Sequence, residues 1–163
     1  MSTHVATVRW QRGDATFSDG RYSRRHAWTF DGGAVVAASP SPDVVPAPWS
    51  DPAAVDPEEA FVAAVSSCHM LWFLSIAADR GLVVDRYEDE AHGTMSRIAP
   101  GRQAITSIVL RPCIVFAGAN APSAGDIEAL HEAAHDRCFI ANSVKTEIRV
   151  ESREPSTAEA SRG

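Results

Sequence analysis

Residues 56–74 read DPEEAFVAAVSSCHMLWFL, and the rest of the chain can be interpreted outward from this segment. Asp56 can cap a helix, Pro57 suits the first helical position, and Glu59, three residues after Asp56, completes a capping box. Apolar residues then follow on all sides of the helix, so a core helix is predicted rather than a surface one. Gly81 is predicted to end it as the C-terminal cap.

Four small or polar residues, Ser66-Ser67-Cys68-His69, interrupt this apolar helix. Cysteine is often buried as a small core residue, and small side chains let helices approach closely, so packing is one interpretation. The other interpretation is that Cys68 is a reactive thiol. The helix alone does not decide between the two.

Composition bounds the class of protein. The chain has 163 residues, a net charge of −6 and no basic runs, which argues against nucleic acid as a partner. We see no secretory signal, no apolar segment of the ~18 residues that a membrane span needs, and no disulfide framework in three widely spaced cysteines. We therefore expect a cytoplasmic protein with one domain over residues 1–152 and a flexible tail over 153–163.

Alternating β-formers predict three strands before the helix, at residues 4–10, 27–31 and 34–39, and three after it, at 83–95, 105–116 and 145–151. A second helix is predicted over residues 122–137. Pro112, inside the long strand 105–116, implies an edge position or a bulge. The order of elements predicts an α+β fold in which long helices cover a mostly antiparallel sheet.

The segment from Pro40 to Pro57 holds six of the ten prolines, which predicts an extended loop without regular structure. One interpretation is a linker. The other is a loop that covers a site, with Trp49 as its apolar plug. The sequence leaves both interpretations open.

The second helix contains His131-Glu132-Ala133-Ala134-His135, which matches the H-E-x-x-H pattern of zinc hydrolases. In that pattern two histidines one turn apart hold the metal and the glutamate acts as base. A catalytic zinc needs a third protein ligand, which here would have to come from Glu147, Glu151 or Glu154. The other interpretation is an amphipathic helix with solvated histidines.

Cys68 and Cys138 form a candidate redox pair. A reactive cysteine must be a thiolate, which nearby cations favour, and the sequence offers the Arg24-Arg25-His26 cluster and a histidine beside Cys68. A second thiol within reach would trap a sulfenic acid as a disulfide, which another thiol can reduce. Cys113 lies in an apolar strand and is interpreted as inert core.

The segment Pro57–Cys68 resembles the P-E-x-x-x-x-A-x-x-x-x-C signature of the OsmC/Ohr family, whose members are thiol peroxidases named for osmotic induction and organic hydroperoxide resistance. The resemblance covers most of the chain, including the early strand pair, the second helix and a second cysteine before a polar turn at residues 138–143. It implies an OsmC-like α+β fold, with mostly antiparallel sheets, a long central helix, a second helix and an intertwined homodimer.

The resemblance also implies roles for individual residues. Cys68 corresponds to the peroxidatic cysteine and Cys138 to the resolving one. Glu58 matches the glutamate that pairs with a catalytic arginine, and we choose Arg24 over Arg25 as that arginine. The arginine would hold the Cys68 thiolate and hydrogen-bond the peroxide oxygens.

The expected substrate is an organic hydroperoxide, because several apolar side chains would line the site: Trp49, Phe61, Trp72 and Phe139. A dithiol reductant, of lipoyl type or another thiol, would open the disulfide after each turnover. The resemblance implies no cofactor.

The spacing of Glu58 and Cys68 bears on assembly. Ten residues on an unbroken helix span about 15 Å at 1.5 Å per residue, so one arginine could not easily contact both side chains. Either the helix breaks, or the Glu58 that serves Cys68 comes from another subunit, in agreement with the family's homodimer. We therefore expect a homodimer.

Three interpretations of function remain. The first is a thiol-dependent hydroperoxide reductase. The second is a non-catalytic binding or structural protein with the OsmC fold. The third is a zinc hydrolase that uses His131, Glu132 and His135.

Overall fold

The computed structural model describes residues 1–117 and 121–155, and the chain divides into two compact units, Met1–Ala60 and Phe61–Gly163. The N-terminal unit contains three strands, β1 (Ala6–Arg9), β2 (His26–Phe30) and β3 (Val35–Ala38). They pair antiparallel in the order β1-β2-β3. Gly33, at φ 85°, occupies the left-handed conformation of the β2–β3 turn, as the Asp31-Gly32-Gly33 signal favours.

Residues 40–56 form no helix or strand, as the proline content predicts. Two contacts attach this loop to the first sheet. Val55 forms a bridge with Ala38, and the Asp51 N–H donates to Ser39 Oγ at 2.8 Å.

The helix α1 runs unbroken from Pro57 to Asp79, so the prediction of a long helix is confirmed. Its capping box is present: Glu59 N–H donates to Asp56 Oδ1 at 2.7 Å, and Asp56 N–H donates to Glu59 Oε2 at 3.0 Å. Gly81, at φ 73°, supplies the left-handed residue after the helix end. The alternative that the helix breaks between Glu58 and Cys68 is therefore wrong.

By length and composition alone, α1 could cross a membrane. The expectation that no segment of this chain passes that test was wrong, because Ser66 to His69 interrupt the apolar run too briefly to lower its average. A core helix passes the same test, but α1 is buried only in part: Val65, Phe73, Ile76 and Ala77 are buried, whereas Leu71 is 61% exposed. The prediction of a helix buried on all sides is therefore not met within these residues.

The C-terminal unit contains the rest of α1, a second helix and two sheets. Its elements are β4 (Val83–Asp89), β5 (His92–Ala99), β6 (Arg102–Leu110), β7 (Pro112–Ala117), α2 (Ala124–Arg137), a 3₁₀ turn (Ala141–Ser143) and β8 (Glu147–Val150). β4 pairs antiparallel with β7, and the second sheet has the order β5-β6-β8. The β6–β8 pair is parallel and the other pairs are antiparallel. The α+β fold class is confirmed.

Two predicted strands are each divided in the structure. Residues 83–95 form β4 and β5, with a break at Glu90 and Ala91, and residues 105–116 belong to β6 and β7, with a break at Arg111. Pro112 explains the second break, since it lacks an N–H and is tolerated best as the first residue of a strand. The Arg111 N–H instead donates to Asp89 Oδ1 at 2.6 Å.

Two apolar clusters form the core of the C-terminal unit. The larger joins both helices to β7 and contains Phe73, Ile76, Ala77, Ile114, Leu130 and Ala134. The smaller joins α1 to β6 through Val65, Ile108 and Leu110. Burying each large apolar side chain stabilises the fold by about 1.5–3 kcal/mol. Gly93 of β5 lies close to α1, because a Cβ added there would lie 2.5 Å from Val62 Cγ2.

The helix α2 begins two residues later than predicted, at Ala124, and is capped by Ser123, whose hydroxyl accepts the Asp126 N–H. After β8 the chain bridges to β7 through Arg153 and Cys113. Of the predicted tail 153–163, residues 156–163 lie outside the described part of the chain.

Candidate active site

Three of the four residues Ser66 to His69 in the middle of α1 contact a partner elsewhere in the C-terminal unit, and the fourth, Ser67, is exposed. Ser66 Oγ donates to Asp89 Oδ2, Cys68 contacts Cys138, and His69 Nε2 lies 3.0 Å from His131 Nδ1. A polar group in a core helix costs free energy unless it is hydrogen-bonded, so these three contacts explain how α1 tolerates them. They also fix which way each side chain points.

Cys68 and Cys138 are brought together as thiols in hydrogen-bond contact. Cys138 caps the C-terminus of α2, where its N–H donates to His135 O at 3.1 Å. Its thiol is 1% exposed, and Cys68 is half-buried. Burial first, and then the hydrogen bond to Cys68, raise the pKa of the Cys138 thiol. The raised pKa favours the protonated thiol at Cys138.

Two of the predicted pocket residues lie beside each other near this pair. Trp72 and Phe139 meet edge to face at 5.4 Å between ring centroids, and Phe139 follows Cys138 directly and is 69% exposed. The Arg137 guanidinium lies 5.9 Å from the Trp72 ring centroid. Phe61 lies elsewhere in the unit, packed against the Val65 cluster.

The other predicted site residues belong to the N-terminal unit. Arg24 and Glu58 both line an apolar groove of about 490 Å³ in that unit. The Arg24 guanidinium donates to the carbonyls of Gly20 and Tyr22, each at 3.2 Å, and lies 4.4 Å from the Tyr22 ring centroid. Arg24 is thus held half-buried at the groove wall.

Arg25 and Trp49 have different surroundings. Arg25 is exposed and pairs with Asp51 at 3.3 Å, away from the residues that line the groove. The Trp49 carbonyl accepts the Arg24 N–H at 2.9 Å, so Trp49 helps to hold the arginine segment through its main chain. The choice of Arg24 over Arg25 stays a prediction, and the groove is the environment that favours it.

The aromatic residues of this groove were not predicted from the sequence. Trp10, Phe17 and Tyr22 form a cluster in which Phe17 and Tyr22 stack at 4.8 Å and Trp10 lies 5.3 Å from Tyr22. Trp10 Nε1 donates to the Ser23 carbonyl at 2.8 Å. The available signal was two aromatic side chains, Phe17 and Tyr22, in a loop otherwise made of turn residues, since a loop has little reason to carry them unless they pack together.

Of the two histidines in the H-E-x-x-H segment, His131 is not solvated as one interpretation expected, and His135 is half-buried. His131 is 5% exposed, stacks on His69 at 5.3 Å and packs against Phe73 at 4.6 Å between ring centroids. Burial lowers the pKa of His131 to about 4, and burial with the neighbouring His131 and His135 lowers that of His69 to about 4. Both rings are therefore neutral at pH 7.

The zinc interpretation also needs three converging ligands. Across residues 1–117 and 121–155, no group of three or more His, Cys, Asp or Glu side chains is arranged to hold a metal ion. His131 Nδ1 is engaged with His69, and Glu132 is exposed. The ligand geometry of a catalytic zinc is not assembled from these residues.

Comparison with known protein families identifies the chain. Residues 50–153 match the family described as OsmC-like protein. An OsmC-like protein of unknown function from Vibrio cholerae is 52% identical, with 94% of this chain and 100% of that chain covered and a TM-score of 0.91. The protein therefore belongs to the OsmC-like family, and the resemblance drawn from Pro57–Cys68 is confirmed.

Other solved structures share the fold at low identity. An organic hydroperoxide resistance protein OsmC from Legionella pneumophila has a TM-score of 0.68 at 13% identity, with 96% of this chain and 98% of that chain covered. The organic hydroperoxide resistance protein OhrB of Bacillus subtilis has a TM-score of 0.63 at 16% identity, with 94% and 98% covered. A search of curated proteins found no match.

Proposed function

We propose that the protein is a thiol-dependent hydroperoxide reductase that removes organic hydroperoxides in oxidative stress defence. The contact between Cys68 and Cys138 is the observation that carries this proposal, since it places a second thiol beside the one that a peroxide would oxidise. Membership of the OsmC-like family supports it. The solved neighbours with this fold include proteins described as organic hydroperoxide resistance proteins.

The proposed reaction has three steps. The Cys68 thiolate attacks the distal oxygen of the hydroperoxide, the O–O bond breaks, and protonation of the leaving alkoxide gives an alcohol and Cys68 sulfenic acid. The Cys138 sulfur then attacks the Cys68 sulfur, and water leaves as the disulfide forms. A dithiol of lipoyl type reduces this disulfide by exchange and is itself oxidised to a cyclic disulfide.

The surroundings of the two thiols support the proposed roles of nucleophile for Cys68 and resolving thiol for Cys138. Burial and the contact with Cys68 raise the pKa of the Cys138 thiol, which leaves Cys68 as the proposed nucleophile. The raised pKa of Cys138 keeps it from competing as the nucleophile. Cys68, which is half-buried, is also the more accessible of the two to a peroxide.

Arg24 and Glu58 complete the proposed chemistry. A guanidinium can hold a thiolate and hydrogen-bond the peroxide oxygens, while a carboxylate fixes its orientation. Both side chains line the same apolar groove, whose aromatic cluster is suited to the organic part of the substrate. Trp72 and Phe139 would add apolar surface beside the cysteines.

We further propose that the active protein is an intertwined homodimer. Glu58 and Cys68 lie on one unbroken helix, about 15 Å apart by helical rise, so a single arginine is better placed to serve one residue from each subunit. Within the N-terminal unit, Ala38 is the one apolar side chain that is fully buried, while Val8, Phe17 and Val35 are each more than half exposed. Such a small apolar core does not stabilise a 60-residue unit by itself.

The test measures consumption of cumene hydroperoxide with dihydrolipoamide as reductant. Cys68→Ser is expected to lower the rate to that of the reaction without enzyme, because it removes the nucleophile. Cys113→Ala, a cysteine outside the pair, is the matched control and is expected to keep the activity. Wild-type consumption that persists in Cys68→Ser would overturn the proposal, and light scattering that reports a monomer at micromolar concentration would overturn the dimer.

A further inference from the structure

A second cavity, of about 750 Å³, lies in the C-terminal unit between one face of α2 and the segment formed by β8 and the residues after it. This volume is in the range of sites that hold small organic molecules. One wall is apolar and branched, built from Ile114, Ile127, Ile148 and Val150. Neither Cys68 nor Cys138 lines it, so the mechanism proposed above does not use it.

His131 lines this cavity and is the polar group that its surroundings leave unsatisfied. The ring is 5% exposed, its Nδ1 lies 3.0 Å from His69 Nε2, and its Nε2 is buried without a hydrogen-bond partner among the described residues. Leaving a buried nitrogen unpaired costs about 1–3 kcal/mol. Because His131 lines the cavity, a ligand bound there can supply the missing bond.

The rest of the lining sets the charge that such a ligand should carry. Four carboxylates lie around the cavity, on Glu128, Glu132, Asp136 and Glu154, and none of them forms an ion pair within residues 1–117 and 121–155. The Arg153 guanidinium, the cation among the lining residues, donates to the Arg111 carbonyl at 3.2 Å. The field in the cavity therefore favours a cation.

Glu128 and His135 lie on the same face of α2 as His131, three residues before and four residues after it. A cation that reaches His131 Nε2 is thus also near the Glu128 carboxylate. No cluster of three metal-binding side chains exists among the described residues, so the geometry favours an organic cation over a metal ion. An aliphatic or aromatic body would cover the branched apolar wall.

We propose that this cavity binds an amphiphilic organic amine in its protonated form, with its apolar body on the isoleucine and valine wall and its ammonium group among the carboxylates. One ammonium N–H donates to His131 Nε2. This requires the tautomer in which His131 Nδ1–H donates to His69 Nε2, because Nε2 must carry the lone pair. The proposal is independent of the hydroperoxide reductase function.

The test compares three probes of one shape on the full-length protein by isothermal titration calorimetry: 4-phenylbutylamine, 4-phenylbutan-1-ol and 4-phenylbutyrate. We expect the amine to bind about tenfold tighter than the alcohol at low salt, and the carboxylate to bind most weakly. The preference should shrink at high salt, because partly exposed charges are screened. Equal affinity for amine and alcohol, or no binding of any probe, would overturn the proposal.

A second measurement ties binding to this cavity. The double variant Glu128→Gln/Glu132→Gln should lose most of the preference for the amine, whereas Glu88→Gln/Glu90→Gln, which removes two exposed carboxylates outside the cavity, should keep it. Long-range ¹H–¹⁵N NMR should show a non-protonated His131 Nε2 whose signal moves when 4-phenylbutylamine is added to wild type. An unchanged signal, or a protonated Nε2 in the amine complex, would contradict the binding mode.

Discussion

Two pairs of like side chains join the middle of α1 to α2 and the turn that follows it. Cys68 contacts Cys138, and the next residue, His69, contacts His131. The first pair consists of a half-buried and a buried thiol, and the second of two rings that are 1% and 5% exposed. Cys68 and His69 are neighbours in one helix and each has a partner of its own kind, but the surroundings of the two contacts differ.

The difference between the pairs teaches what makes a buried polar contact reactive. Both satisfy groups that would otherwise destabilise a core helix. The histidine pair packs against Phe73 and is neutral at pH 7, so it contributes to packing and to hydrogen bonding between α1 and α2. In the cysteine pair, Cys68 is half-buried, and burial raises the pKa of the Cys138 thiol. Access, rather than proximity alone, distinguishes the candidate catalytic pair.

The largest effect is expected from replacing one cysteine of the pair. In Cys138→Ser, peroxide should oxidise Cys68 without forming an internal disulfide, so mass spectrometry should show the protein gaining one or more oxygens. Wild type should instead lose two hydrogens, and steady-state turnover with dihydrolipoamide should be much faster than in the variant. Loss of two hydrogens by Cys138→Ser would show that another thiol resolves Cys68.

Breaking the histidine pair should affect stability strongly. His131→Ala removes a buried ring from Phe73 and leaves His69 Nε2 without its partner, so we expect a loss of about 3–5 kcal/mol in the free energy of unfolding, measured in urea. The matched control is His135→Ala, one turn further along α2 at a half-buried position, with an expected loss of about 1 kcal/mol. Equal losses would mean that the pair adds nothing to stability.

The histidine pair also predicts how stability depends on pH. Burial lowers the pKa of both rings to about 4, from an ordinary value of 6.5, so the unfolded state binds more protons than the native state between these values. The stabilising contribution is complete above pH 6.5 and is lost as the pH falls towards 4. At pH 5 the expected loss is on the order of 2 kcal/mol for each histidine.

Urea unfolding at pH 7 and pH 5 checks this expectation. The double variant His69→Phe/His131→Leu should show a flatter pH dependence than wild type, whatever its stability at pH 7. His92→Gln, which replaces an exposed histidine beside Glu90, should retain the wild-type dependence. Parallel curves for wild type and the double variant would refute the assignment to this pair.

The two pairs also show what the sequence could predict. The span of α1 and its capping box follow from local chemistry at Asp56, Pro57 and Glu59, and the Cys68–Cys138 pairing was anticipated from the family resemblance. The sequence did not predict that residues 83–95 and residues 105–116 are each divided between two strands. At the second break, beside Pro112, the Arg111 N–H finds its acceptor on Asp89, a residue distant along the chain.

The histidine pair was missed for a similar reason. His131 was interpreted as a metal ligand or a solvated residue, because its partner lies 62 residues away on another helix. One signal was present, since a polar side chain such as His69 inside an apolar helix must find a partner. That rule predicts that a partner exists, and three-dimensional packing decides which one.

The smallest expected effect concerns the aromatic pair beside the cysteines. Phe139 is 69% exposed, so Phe139→Ala should lower the free energy of unfolding by about 1 kcal/mol or less, chiefly through the lost edge contact with Trp72. Val83→Ala, at a position 57% exposed in β4, is the control for loss of exposed apolar surface. The rate at which a bulky maleimide labels Cys138 tests whether Phe139 shields this thiol. If Phe139→Ala raises the labelling rate, the difference in access between the cysteine pair and the histidine pair depends partly on the Phe139 ring. An unchanged labelling rate would show that access to the cysteine pair is set by the helices alone.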